Sequence, residues 1–355
     1  MMNEEQPAQG ARLPDGQGSA SGGKKPASEL RFDLVSKDWV VIATGRARRP
    51  ETFAKNDKEK KETAPEKDCL FCNIETQEPP VLTYPNHGGK KDWSLMVVPN
   101  KFPAFIKGDS LSERAEGPYS LMDGIGFHEV VITRDHKKQM AEFSIPEIHQ
   151  VLDAYQERYL ELMNEKMVNY ISIFHNHGRE AGASIAHPHS QIIAIPITDP
   201  DLSQSLEGSR RFFEMQGKCV HCTMLEWDRE DGRRIVFENE KYVVLCPFAS
   251  RIAFEIRVYP KEHKAYFERI KDNEKDQLAE ALKAGLGKIF KGLNNPAYNF
   301  FLHTAPCDGR NYDHYHWHFE IMPKTSVWAG FELGAGIEIS TIEPEKAAEY
   351  LRNIT

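Results

Sequence analysis

The chain has 355 residues, enough for about two domains and a sizeable core. Its 45 Lys and Arg against 53 Asp and Glu leave a net charge of −8, which argues against a protein that holds nucleic acid by bulk electrostatics. Six cysteines are too few for a disulfide scaffold, no run of 18 apolar residues occurs, and the polar first ten residues lack the apolar core of a signal peptide. A soluble cytoplasmic protein with reduced thiols and no membrane or nucleic-acid partner is expected.

In chain order, residues 1–27 are rich in Gly, Ser, Ala, Gln and Pro and read as a disordered tail. The run from Leu30 to Thr44 reads as strand, turn, strand, and residues 55–67 as a solvated charged loop. A β-like run at 128–133 (HEVVIT) precedes a helix expected from Ile145 to about Met167. That helix is marked by Ile148, Val151, Leu152, Tyr155, Tyr159, Leu160 and Met163 at a spacing near 3.6. A second β-like run, YISIF at 170–174, follows. The same order returns with FEIRVYP at 254–260, a helix from Asn273 to about Leu293, and YNFFL at 298–302. This recurrence predicts a duplication, with halves at 28–200 and 201–355 divided near PITDPDLSQS.

The halves share metal-ligand content. Cys69-Leu-Phe-Cys72 is matched by Cys219-Val-His-Cys222, His136 by His263, and His187-Pro-His189 by His316-Trp-His318. From His136 to His187 is 51 residues, and from His263 to His316 is 53. Two thiolates from a CxxC turn and two imidazoles from separate strands make a closed tetrahedral zinc set. Site one is therefore Cys69, Cys72, His136 and His187; site two is Cys219, Cys222, His263 and His316. A lone CxxC pair also reads as a redox couple or as two buried thiols; recurrence with matched histidines favours metal. Aligning the halves sets His128 opposite Phe254 and His136 opposite His263, which favours His136 over His128 as ligand. Cys246 and Cys307 have no such partners and read as core or surface thiols.

The sharpest motif is Ala181-Gly-Ala-Ser-Ile-Ala-His-Pro-His-Ser-Gln191, which leads into the apolar strand IIAIP. Alternation puts His187, His189 and Gln191 on one side. With His187 on metal, His189 is a rigid imidazole aimed at a cleft, suited to attack an α-phosphorus and form a nucleotidyl-histidine. Gln191 can donate to phosphoryl oxygens, and the small residues 181–184, Ser184 included, let a phosphate approach the backbone. The competing reading makes both histidines ligands or structural. In the second half, Glu320 stands where Gln191 stands in the first, so that half is expected to be catalytically silent and to keep its metal for stability.

Together with ELRFDLVSKDWVVIATGRARRP, DCLFC, VVPNKFPAF, GFHEVVITRDH and GFELGAGIEIS, these motifs resemble the galactose-1-phosphate uridylyltransferases, a branch of the histidine-triad superfamily, and nearly as much the ADP-sugar phosphorylases. The resemblance spans about Glu29 to Arg352 and implies an α+β fold: a duplicated histidine-triad-like fold, antiparallel sheets with packed helices. It implies His189 as nucleotide acceptor and Gln191 as its partner. Arg46, Arg49 and Asn176 would serve phosphates, Asn100 and Phe102 the nucleoside (in a base-contacting loop placed at 94–106), and Phe331 and Glu332 the hexose phosphate. It further implies zinc, two nucleotide-sugar and hexose 1-phosphate substrates, and a homodimer. Bacterial uridylyltransferases carry a carboxylate–histidine second site, so iron is the alternative there; the Cys219–Cys222 pair is phosphorylase-like, and His303, His316 and His318 persist. Glu338 departs from a hexose-reading glutamine and leaves the sugar open.

The expected reaction is ping-pong uridylyl transfer between hexose 1-phosphates through His189. The alternatives are an ADP-glucose phosphorylase or adenylyltransferase with phosphate as acceptor, a hydrolase, which Gln191 disfavours, and a catalytically dead zinc-stabilised nucleotide-binding protein.

Overall fold

A computed structural model describes residues 28–46, 65–86, 93–108 and 110–355. The proposed tail 1–27, most of the charged loop and Arg49 lie outside them, and Arg46 closes a short 3-10 turn, Thr44–Arg46.

The N-terminal run folds as expected into an antiparallel hairpin, β1 (Glu29–Phe32) with β2 (Trp39–Ile42). The first half then supplies β3 (Leu82–Pro85), β4 (Trp93–Pro99), an outlying hairpin β5 (Glu113–Glu116) with β6 (Tyr119–Met122), β7 (Phe127–Thr133), helix α1 (Ile145–Leu162), β8 (Tyr170–His177) and β9 (His189–Ile195). After α2 (Pro200–Gln216) and α3 (Val220–Asp231), the second half supplies β10 (Ile235–Glu238), β11 (Tyr242–Leu245), β12 (Ile256–Pro260), α4 (Asp272–Gly292), β13 (Tyr298–His303) and β14 (His318–Pro323). The chain closes with α5 (Gly330–Ala335), β15 (Ile339–Ser340), which joins β2, and α6 (Pro344–Arg352).

One correction concerns 94–106: residues through Pro99 are strand β4, a buried apolar run (Leu95, Val97, Val98), and the loop begins only at Asn100. Another concerns the helix expected to reach Met167, which stops at Leu162. Helices α2 and α3 are not among the elements expected from the sequence; both are more polar on average than α1 and α4, which hides their apolar positions.

The duplication is literal. The order β3-β4-β7-β9-β8 is mirrored by β10-β11-β12-β14-β13. The halves meet where β8 pairs antiparallel with β13, so two five-stranded units form a single ten-stranded sheet. The local chemistry repeats too. Ser144 N–H donates to Glu147 at 2.7 Å before α1, and Lys271 N–H to Glu274 at 3.1 Å before α4. Each glutamate is also gripped by a lysine beyond the metal-type histidine, Lys138 and Lys264, at 2.6 Å. Such caps satisfy amide groups that the first helical turn leaves unpaired.

Helices α1 and α4 cover one face of the sheet. Ile171, Ile173, Ile192 and Ala194 of the first half and Phe300, Leu302, Phe319 and Ile321 of the second join them in one core. Alternation along the strands sends the intervening residues, Asn176, Gln191, Asn299 and Glu320 among them, to the other face. Both His-x-His segments thus open on the same side of one rigid platform.

Candidate active site

The four groups of site one come from three places. Cys69 and Cys72 flank a turn, His136 follows β7, and His187 precedes β9. Their ligand atoms all lie within 4.8 Å of one another. Cys72 Sγ is 3.2 Å from His136 Nδ1 and 3.5 Å from His187 Nδ1, and Cys69 Sγ is 3.7 Å from His187 Nδ1. A tetrahedral zinc with ordinary Zn–S and Zn–N bonds spaces S and N about 3.5 Å apart, so the donor set fits that ion. His187 Nε2 donates to the Thr133 carbonyl at 2.6 Å, which leaves Nδ1 as the ligating atom. Burial pushes the His187 imidazole down to about 4, the neutral form a ligand needs.

Site two repeats this arrangement. Cys219, Cys222, His263 and His316 converge within the same 4.8 Å. Cys222 Sγ is 3.3 Å from His263 Nδ1 and 3.5 Å from His316 Nδ1. The Nε2 atoms bond the carbonyls of Asp313 (2.7 Å) and Pro260 (3.0 Å). Here the second CxxC opens a helix, with Cys219 as the cap of α3. His128 and His303 stand outside both quartets.

His189 is the first residue of β9 and is 9% exposed. Its Nδ1 bonds the carbonyl of His187 at 2.8 Å. That bond fixes the proton on Nδ1 and leaves Nε2 with its lone pair. The Phe71 ring, from within the CxxC turn, packs edge-on at 4.9 Å between centroids. Burial holds the imidazole below the ordinary histidine range, opposed in part by the His187 carbonyl. On the opposite face Ser190 accepts from Tyr155 at 2.5 Å and lies 3.1 Å from His175 Nδ1, which locks the strand between the two site residues.

Strand register assembles the rest. Ile132 pairs with His189 on one side. On the other, Phe174 pairs with Gln191 and His175 with Ser190, so Asn176 is the cross-strand neighbour of His189. Gln191 Oε1 is 2.8 Å from Nε2 of His128, and Asn176 Oδ1 is 2.7 Å from Nδ2 of Asn299. Asn100 Oδ1 accepts from Phe102 N–H at 2.9 Å, a turn that leaves the Phe102 ring 77% exposed near the site. Ser184 is exposed in the loop before His187. Phe331 and Glu332 sit on α5, where Glu332 accepts from Ala329 N–H at 3.1 Å; among the described residues no hydrogen bond links them to the strands that carry His189.

The duplicate place in the second half is closed over. His318 Nδ1 bonds the His316 carbonyl at 3.1 Å, a copy of the His189 arrangement. Yet Glu320 binds Arg251 and, at 3.1 Å, Arg257, both brought by the second half. The segment 33–40 and α2 cover what is left, a cavity of about 70 Å³ lined by Val35, Asp201, His303 and His318 among others. The cover is tight: Gly208 of α2 lies against the Val35 carbonyl so closely that a Cβ would stand 1.9 Å from it. Sequence reasoning missed Asn299, which pairing across the halves brings to Asn176, and Arg251 and Arg257, which the second half's own fold brings to Glu320.

A duplicated histidine-triad-like α+β fold, with an uncommitted histidine beside a Cys2His2 quartet, defines the class. A family model for the galactose-1-phosphate uridyl transferase N-terminal domain matches residues 23–198. ADP-glucose phosphorylase of Arabidopsis thaliana is 33% identical over 347 residues, 96% of this chain and 97% of that protein. Galactose-1-phosphate uridylyltransferase of Thermotoga maritima is 28% identical over 334 residues, 91% of this chain and 98% of that one. The crystal structure of the Arabidopsis ADP-glucose phosphorylase with bound ADP-glucose superposes with a TM-score of 0.77 at 30% identity, covering 92% of this chain and 99% of that one. The chain belongs to the galactose-1-phosphate uridylyltransferase family. Its relatives are enzymes of the nucleotidyltransferase and phosphorylase kind. No described helix is long and apolar enough to cross a membrane.

Proposed function

We propose that the protein is a nucleotidyltransferase that passes a nucleotidyl group from a nucleotide sugar to a phosphate acceptor through His189. The observation that carries this reading is the His189 ring: Nδ1 is committed to the His187 carbonyl at 2.8 Å, and Nε2 has no hydrogen-bond partner among the described residues. In the first step the Nε2 lone pair attacks the α-phosphorus, an N–P bond forms, and the P–O bond to the sugar 1-phosphate breaks. The imidazolium that results keeps its Nδ1–H on the His187 carbonyl, which stabilises its charge. In the second step an acceptor phosphate oxygen attacks, the N–P bond breaks and the neutral imidazole returns. Gln191, Asn176, Arg46 and Arg49 offset charge on the phosphoryl oxygens. Cys69, Cys72, His136 and His187 would hold a zinc ion that would fix the backbone whose carbonyl orients His189, and Cys219, Cys222, His263 and His316 would hold a second metal that would brace the silent half. The halves divide near residue 200. The protein acts in the cytoplasm as a homodimer, and Phe331 and Glu332 serve the hexose phosphate.

With galactose 1-phosphate as acceptor and a uridine nucleotide, this is a galactose-1-phosphate uridylyltransferase. A second reading, ADP-glucose phosphorylase with inorganic phosphate as acceptor, is favoured by the Cys-containing second quartet and by the 33% identity to a protein of that name. Incubation with α-labelled UDP-glucose and ADP-glucose, each with galactose 1-phosphate or phosphate, tests both. Covalent label on the wild type and none on His189→Ala, with metal content unchanged, is expected. Label retained by His189→Ala would remove the assigned nucleophile, and an unlabelled wild type would leave only a nucleotide-binding role.

A further inference from the structure

Two amides flank His189, Gln191 two residues along its strand and Asn176 across from it. An amide helps a phosphoryl transfer only if its NH2, not its carbonyl oxygen, faces the phosphate. In both cases a neighbour decides this, and a backbone group decides the neighbour.

Asn299 lies on β13, in the second half, paired with Asn176. It is buried, and its Nδ2 is 2.7 Å from the Ala181 carbonyl and 2.7 Å from the Asn176 side chain. A backbone carbonyl can only accept, so the Asn299 atom there is the NH2 group. Its second hydrogen then requires an acceptor, which makes the Asn176 atom Oδ1. Asn176 Nδ2 is left on the side of Gly182, whose φ of +88° suits glycine and where an added Cβ would stand 3.9 Å from that nitrogen.

His128 does the same for Gln191. The Ala104 N–H donates to His128 Nδ1 at 3.1 Å, so the ring proton sits on Nε2 and is given to Gln191 Oε1 at 2.8 Å. Asn100 Nδ2 also stands 3.0 Å from that Nε2; with both atoms donors, this is a close approach and not a second bond. Gln191 Nε2 is thereby turned to the open face.

We infer that His128 and Asn299 are positioning residues that cap the oxygens of Gln191 and Asn176, so that both amides present NH2 groups to the phosphoryl group on His189. This rests on the reading of His189 as nucleophile. It gives the silent half a part in the reaction, since Asn299 reaches the site only through the β8–β13 junction, and it ties the loop after β4 to the catalytic strand through His128.

The test is a pair of double-mutant cycles on the single-turnover rate of His189 labelling by α-labelled nucleotide sugar. Asn299→Ala and His128→Phe are each expected to slow labelling about 10- to 100-fold, with zinc content and thermal midpoint near wild type. In an Asn176→Ala background, Asn299→Ala should cost less than about twofold more, and likewise His128→Phe in a Gln191→Ala background, because a cap has no effect once its amide is gone. If Asn299→Ala does not fold, Asn299→Asp, isosteric but unable to donate, replaces it. Losses that multiply in the double variants, or single variants that label at the wild-type rate, overturn the inference while His189 stands. A wild type that takes no label overturns the parent reading and this one with it.

Discussion

Replacing Glu320 by Gln restores the residue type of the first half to its duplicate place, and the structure says the second half will not tolerate it. Glu320 is 3% exposed and answers two guanidiniums, Arg251 and Arg257. Those arginines hold its carboxyl well below the ordinary range against the opposing effect of burial. Arg257 keeps Glu255 at 3.1 Å in the variant, but Arg251 loses its ion-pair partner. Removing one member of a buried pair costs about 3–5 kcal/mol, and Glu255 brings the expected loss to the lower end. With a urea dependence of about 3 kcal/mol per M, the denaturation midpoint, followed by tryptophan fluorescence, should fall by about 1 M at neutral pH. The sign with pH follows from the depressed folded value: the stabilisation is present above the unfolded carboxylate range and is lost as pH falls through the folded value, so wild type and variant should converge in acid. A midpoint within about 0.2 M of wild type would refute the argument that this ion cluster holds a glutamate, for structural reasons, where the first half has Gln191.

Cys69→Ser should lower bound zinc from about two ions per chain to about one, measured by metal analysis after dialysis. Unchanged zinc would remove Cys69 from the ligand set. Glu345, bonded by Arg31 and Arg234 at 3.0 Å, ties α6 to β1 and to the start of β10, and its carboxyl is held down to about 2 by these partners against the opposing effect of burial. Its contribution is therefore full above about pH 4.5 and fades toward pH 2, so Glu345→Gln should be less stable than wild type at pH 6 by about 1–3 kcal/mol and equal to it near pH 2. A stability difference that does not shrink with acid would disprove that linkage.

Much of the site was legible because its chemistry is local. A CxxC turn and a His-Pro-His-x-Gln run carry their own geometry, and a gap of about 50 residues holding one helix between two strands brings the remaining histidine back to the same sheet end. Duplication strengthened each signal by repeating it, and alternation along β9 placed His189 and Gln191 on one face. Side-chain period and ligand chemistry are properties of short segments, so sequence alone pointed to the repeated strand order, to the two Cys–His quartets and to the place of His189 beside the first of them.

What only the tertiary structure decided lies across strands. The β8–β13 pairing sets Asn299 beside Asn176, and nothing in either strand's own pattern specifies which partner or register it takes. The same holds for His128 against Gln191, and for Arg251 and Arg257 against Glu320, where residues 63, 69 and 63 positions apart become neighbours. The covering of the second cleft by segment 33–40 and α2 is another such outcome. Long-range pairing is fixed by the sum of burial over the whole sheet rather than by any single segment, and for that reason the orientation of the site amides had to be read from the assembled fold.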